Sequence, residues 1–285
     1  MLGNRLKTVA LLGLLTGLLI GVGYVLGGQG GLFIGLIFSI VMNFASYWWS
    51  DKIALAMYRA QPVTKEQAPN IYKLVENVCL KANVPIPKIY QIPTESPNAF
   101  ATGRNQKHAA LAVTKGIVKL LNKEEMEGVI AHELAHIKNK DILIQSIAAM
   151  IAGVISYLAF FARWGAFFGG FGGNDRDGGG IIELLAVAII TPIIATIIQL
   201  AISRSREFMA DSRGAKFLNN SDGLASALAK LEKGIQHAPL RDTSQTQATA
   251  HMFIANPFRG EKIMSWFMTH PPMKARIRRL NEMKF

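Results

Sequence analysis

Between Lys7 and Asp51 the chain carries no charged side chain, and the tract is interrupted near its middle by Gly27-Gly28-Gln29-Gly30-Gly31. A helix needs about 20 apolar residues to cross a hydrocarbon core of about 30 Å. The pattern therefore predicts a hairpin of two passes, Val9–Leu26 and Leu32–Trp49, with Trp48 and Trp49 at the level of the headgroups. Two further charge-free tracts, Ile142–Ala162 and Leu184–Ser203, are long enough to span, and Glu183 stands at the mouth of the second. Arg5 and Lys7 precede the first pass as they would in a secretory signal. The tract is too long for one, lacks a small-residue cleavage site and runs directly into a second pass, so it reads as a retained anchor.

The intervening blocks have the texture of a soluble domain. Ala68–Ala82 places Ile71, Leu74, Val75 and Val78 at helical spacing, and Pro85 and Pro87 end that helix. Short strands are expected at Lys88–Ile92 and Ala109–Val113, with Ser96–Ala101 between them. Asn122 followed by Glu125 forms a capping box for a helix through Glu124–Asn139. Beyond the last apolar tract, helices are expected over Ser203–Leu218, from Asp222 onward, and over Met273–Met283. Arg241–Ala250 reads as a polar loop, and Gly165–Gly180 as the loop joining the third and fourth passes. The layout is thus a membrane hairpin (1–50), a first soluble block (51–141), a second membrane hairpin (142–203) and a second soluble block (204–285). The fold class is a mainly α integral membrane protein with about four transmembrane helices and a small β-sheet.

Composition sharpens this layout. The 285 residues are 50% hydrophobic but only 18% charged, with a net charge of +12. If the four passes alternate, all but Arg163 and Arg176 of the 31 basic residues fall on one side. Those closest to the passes, including Lys52, Lys138, Lys140, Arg204 and Arg206, mark that side as cytoplasmic. The lone Cys79 fits a reducing compartment. Because the basic excess borders the bilayer, anionic headgroups explain it better than nucleic acid does. The lipid bilayer is the expected partner and no nucleic-acid partner is expected.

The chemistry concentrates in His132-Glu133-Leu134-Ala135-His136. Four residues advance a helix by about 400°, so both imidazoles leave one face and can reach one zinc ion. Glu133 projects from the adjacent face, where its carboxylate can take a proton from a water activated there. A catalytic zinc usually has three protein ligands. The remaining one is to be found among Glu207, His108, His237, His251 and His270. Glu207 lies just past the fourth pass, and an antiparallel pair of passes would return it beside His136. Asp211 is one turn further on the same face, suited to orienting a ligand. A four-pass ion transporter would place ionisable groups inside its spans, whereas this motif lies outside the apolar tracts.

His132-Glu133-x-x-His136 followed by Glu207-x-x-x-Asp211 after two apolar tracts resembles the HtpX family of bacterial membrane-embedded zinc metalloproteases, relatives of the CAAX prenyl endopeptidases. The likeness extends over nearly the whole chain, including Asn98-Ala99-Phe100-Ala101-Thr102-Gly103 and Thr269-His270-Pro271-Pro272 with Arg276. It implies one zinc on His132, His136 and Glu207, with Glu133 as base, in a zincin-like domain. It also implies a substrate-binding edge strand at Asn98, Ala99, Phe100 and Ala101, His270 at the oxyanion, and Arg276 as a nearby support. The activity it implies is endoproteolysis of misfolded or damaged membrane proteins, in quality control and stress response, at the cytoplasmic face of a bacterial inner membrane.

Overall fold

The computed structural model describes residues 2–152, 155, 204–241, 243, 246, 249–258 and 271–285. The tract Leu184–Ser203, residues 153, 154 and 156–162 of the tract Ile142–Ala162, the loop Gly165–Gly180 and His270 lie outside the described residues.

Helix α1, Leu2–Met57, is two arms joined at Gly27 and Gly28, the latter at φ 57°, ψ −139°. That left-handed backbone favours glycine, and it breaks the helix where the glycine cluster predicted. The arms fold onto each other closely. A Cβ on Gly31 would meet the Gly23 carbonyl oxygen at 2.0 Å, and one on Gly35 would meet that of Leu19 at 2.5 Å. Small residues at such crossings let backbones approach in lipid, and the Asn43 amide donates to Thr16 Oγ1 at 2.7 Å across the pair. Leu6–Tyr24 and Gly27–Met57 are both long and apolar enough to cross a membrane, with mean hydropathies of 1.9 and 1.7. Phe33, Ile34, Ile37, Ile40 and Val41 stand exposed on the second arm, a surface suited to lipid rather than water.

The second arm departs from expectation by continuing past Trp49 and the charged Asp51 and Lys52 to Met57. Its last turns serve the soluble domain, because Ala54 and Leu55, with Tyr58 just beyond, are buried under the sheet. Strand β1 (Gln61–Pro62) follows, then α2 (Pro69–Ala82), β2 (Lys88–Ile92), β3 (Ala99–Gly103) and β4 (Ala109–Thr114). The sheet order is β1-β2-β4-β3, with β2 and β4 parallel and β3 antiparallel to β4 at the edge. Side-chain alternation divides the sheet's contacts. Ile89, Ala101, Leu111 and Val113 enter the main core with α2, while Tyr90, Phe100, Ala110 and Ala112 face Tyr58 and Phe253.

After β4 come α3 (Lys115–Leu120) and α4 (Lys123–Asn139). Asn122 accepts from the Glu125 amide at 2.9 Å while the Glu125 carboxylate accepts from the Asn122 amide at 2.9 Å. Lys140, at φ 62°, ends α4 in a left-handed turn. The next helix, α5 (Ile142–Ala152), is the described part of the third apolar tract. Its Ile144, Ile147, Ala148 and Ile151 pack against Leu11, Leu15 and Leu19 of α1. Helices α6 (Arg204–Leu218), α7 (Asp222–His237) and α8 (Met273–Asn281) complete the described fold around α4.

Cys79 is buried within α2. Burial, aided by the charge of Glu76, pushes its thiol up to about 11. Since the thiolate is the nucleophile, its fraction at pH 8 drops roughly 200-fold below that of a thiol at about 8.5. Iodoacetamide labelling of the native protein at pH 8, followed by mass spectrometry, is expected to be correspondingly slow and to become rapid on unfolding.

Candidate metal centre

Helix α4 carries His132, Glu133 and His136 into the core, where they are 1%, 2% and 4% exposed. Helix α6 brings Glu207 against them. The approach is close because Gly214 has no side chain. A Cβ there would lie 2.9 Å from the Ala131 carbonyl carbon and 2.9 Å from the His132 amide nitrogen. Gly214→Ala is therefore expected to push α6 off α4, costing about 1–3 kcal/mol as overpacking and lowering the metal content of the purified protein. Thermal unfolding with metal analysis checks both.

His132 Nε2 and His136 Nε2 are 3.1 Å apart. Glu207 Oε2 is 3.7 Å from the first and Oε1 is 3.5 Å from the second. One ligand atom from each of the three residues lies within 4.8 Å of the others. Tetrahedral zinc bonds of about 2.0–2.1 Å separate ligand atoms by about 3.3 Å, so the nitrogen and oxygen donors fit such an ion. Charge points the same way. Among the described residues, Glu133, Asp141, Glu207 and Asp211 are buried around this point with only Arg206 and Arg276 as buried guanidiniums. A cation at this acidic point would offset part of the cost of burying these carboxylates.

The backs of both imidazoles are held by carboxylates. Asp211 Oδ1 lies 2.8 Å from His132 Nδ1, and Asp141 Oδ2 lies 3.3 Å from His136 Nδ1. Arg276, fully buried, grips Asp211 through Nε at 2.9 Å and Nη2 at 2.7 Å, and donates through Nη1 to the Ile254 carbonyl at 2.7 Å. Burial works against the Asp211 charge, but Arg276 and His132 hold its carboxyl down at about 2. Glu133 shows the opposite balance. Burial, reinforced by the charge of Glu207, pushes its carboxyl up to about 8, although the Ala101 amide donates to it. Burial also lowers His132, whereas at His136 the carboxylates of Glu207, Asp141 and Glu133 outweigh burial and raise it.

Of the other candidate third ligands, His108 is exposed with Nδ1 2.8 Å from Asn105 Oδ1. His237 is exposed with Nδ1 2.8 Å from the Lys233 carbonyl. His251 is buried but directs Nε2 to the Gln145 carbonyl at 3.2 Å. Glu207 alone among the described candidates joins the histidine pair.

The residues expected on the edge strand separate into two groups. The Asn98 side chain is buried and exchanges hydrogen bonds with Ala255, donating to its carbonyl at 2.8 Å and accepting from its amide at 3.3 Å. The outward Ala99 carbonyl accepts from the Ile254 amide at 3.1 Å. Phe100 turns to the opposite face and packs against Tyr58 and Phe253. Ala101, next along the outward edge, directs its amide to Glu133. The chain itself therefore occupies the edge at Asn98 and Ala99, and the stretch beside the metal point begins at Ala101. Asp141 and Arg206 were absent from the expected site, although an acidic residue five positions after His136, at a helix end, was a usable signal.

An apolar hairpin anchor, a sheet whose edge strand runs beside the site and a buried two-histidine, one-glutamate cluster with an adjacent carboxylate define a membrane-embedded metallopeptidase. Residues 65–284 match the description Peptidase family M48, and the chain belongs to that family. It is 50% identical over 281 residues to a Protease HtpX homolog of Pyrococcus furiosus, covering 99% of this chain and 96% of the relative. It is 52% identical over 277 residues to one of Thermococcus kodakarensis, covering 97% and 95%. With that of Syntrophobacter fumaroxidans it shares 51% identity over 284 residues, covering 99% and 100%. The crystal structure of Ste24p from S. mikatae has a similar fold, with a TM-score of 0.51 at 19% identity over 97% of this chain and 65% of that one.

Proposed function

We propose that this metallopeptidase is a zinc endopeptidase of membrane-protein quality control, acting at the cytoplasmic face of a bacterial inner membrane. The observation that carries the reading is the placement of Glu133 between the His132, His136 and Glu207 cluster and the Ala101 edge of β3. His132, His136 and Glu207 would hold the zinc. When bound, zinc supplies Lewis acidity that brings water into the range of deprotonation near pH 7 and polarises a peptide carbonyl.

An extended substrate segment would add as a strand along β3 from Ala101 onward, displacing the bonds that the Ala101 amide makes to Glu133 and the Gly103 amide makes to Ser146 Oγ. Glu133 takes the proton of the attacking water and returns it to the leaving amine. Its low-dielectric setting suits it to receiving and releasing a proton. Arg276 and Asp211 hold His132 in place, and His270 would act as a donor to the developing oxyanion. Asn98, engaged with Ala255, supports the strand's end, while the apolar hairpin keeps the site beside the bilayer that holds the substrates. The basic residues flanking the helices favour a cytoplasmic location.

The reading is tested by co-reconstituting the purified enzyme in vesicles with a membrane protein and a destabilised variant of it. Preferential cleavage of the destabilised form, at segments on the side bearing the soluble domain, is expected. Equal cleavage of both forms would remove quality control from the assignment.

A further inference from the structure

The joint between α4 and α5 has a built connection to the metal point. Asp141 is the residue between the left-handed Lys140 and the first residue of α5, and it touches His136 twice. Its amide donates to the His136 carbonyl at 3.0 Å, and its Oδ2 is 3.3 Å from His136 Nδ1. Its other oxygen is 3.8 Å from Arg206 Nη1, and Lys7 of α1 is within electrostatic reach of both. Asp141 is 2% exposed, so its carboxylate is held in one setting rather than sampling solvent.

We propose that Asp141 is the positioning residue for His136: it accepts the Nδ1 proton, leaving the Nε2 lone pair aimed at the metal. The arrangement matches that of Asp211 behind His132, so each imidazole has its own carboxylate. The two differ in what they are tied to. Asp211 is clamped by Arg276 inside the soluble domain. Asp141 starts the helix that packs against α1, and its charge is shared with Arg206 at the start of α6. The orientation of His136 is thereby set at the point where the soluble domain meets the apolar helices. A carboxylate accepting from the far nitrogen of a metal-bound histidine fixes the ring and raises its basicity, and losing it costs about 10- to 100-fold in metal affinity.

The competing role for Asp141 is that of an N-cap for α5, whose Gln145 amide donates to the Asp141 carbonyl at 3.2 Å. Serine caps a helix nearly as well as aspartate, but its hydroxyl is too short to replace the carboxylate at His136. The inference rests on the zinc reading, so the full-length protein in detergent is compared as wild type, Glu133→Gln, Asp141→Ser and Asp141→Glu. Zinc affinity is measured by chelator competition, and the visible spectrum is recorded after cobalt substitution. Tight zinc in wild type and Glu133→Gln supports the reading of the metal site itself. For Asp141→Ser, a roughly 10- to 100-fold loss of zinc affinity with an altered cobalt spectrum is expected. Its metal-free melting temperature should stay near that of wild type, and Asp141→Glu should recover part of the affinity. Asp141→Ser with wild-type affinity and spectrum would reduce Asp141 to a cap. Loss of affinity accompanied by an equal loss of metal-free stability, without recovery in Asp141→Glu, would overturn the proposal equally. A wild-type protein without tight zinc would overturn both readings.

Discussion

Glu133→Gln is expected to lower kcat between about 100-fold and about 10,000-fold, the range that a positioned general base contributes, with KM little changed. Glutamine fills the same volume in a site where Glu133 is 2% exposed, and its side-chain oxygen can still accept from the Ala101 amide. What it cannot do is take a proton. The three candidate ligands are untouched, so metal content should equal that of wild type. Steady-state cleavage of a fluorogenic peptide, with metal measured on the same samples, separates the loss of a base from the loss of an ion. Full activity in Glu133→Gln would show that the proton goes elsewhere.

Arg276→Met is expected to have the largest effect on stability, about 3–5 kcal/mol, as found when one partner of a buried ion pair is removed. Arg276 is fully buried and supplies both bonds that neutralise Asp211, besides anchoring the Ile254 carbonyl. Without it, a 3%-exposed carboxylate is left against His132 with its charge uncompensated. The melting temperature should fall on the order of 10 °C, read under identical detergent conditions. The same pair has a signature in acid. The Asp211 carboxyl is held at about 2, below the roughly 3.9 of an unfolded chain, so its contribution is complete above about pH 4. It is lost as pH falls through about 2. Asp211→Asn should remove that part of the acid dependence.

The resemblance of the HExxH segment and Glu207 to a metalloprotease family was legible because metal ligation imposes a fixed helical spacing that survives in one sequence. Helices α2 and α4 were legible for similar reasons, the first by apolar periodicity and the second by its capping box. The first anchor hairpin was marked by absence of charge and by its glycines. What escaped was decided by contacts between distant segments. The second arm of α1 runs on to Met57 because its end is buried under the sheet, and local charge at Asp51 and Lys52 does not stop a helix that packing continues. Strand β1 and helix α3 are too short to leave a periodic trace. Asn98 and Ala99 looked available along an edge strand, yet Ile254 and Ala255, separated from them by a long stretch of chain, take their outward groups. Asp141 acquires its place only through the left-handed turn at Lys140, which directs the carboxylate back to His136. Arg206 meets it from α6, beyond the last apolar tract.

The central claim is that His132, His136 and Glu207 together hold one catalytic ion. Metal content of the full-length protein, measured by mass spectrometry on wild type, His136→Ala and Glu207→Ala after identical purification, tests it most directly. The expected result is about one zinc per wild-type chain, with both variants depleted and inactive while still folded. Zinc retained at the wild-type level in Glu207→Ala, or no bound metal in an active wild-type enzyme, would contradict it.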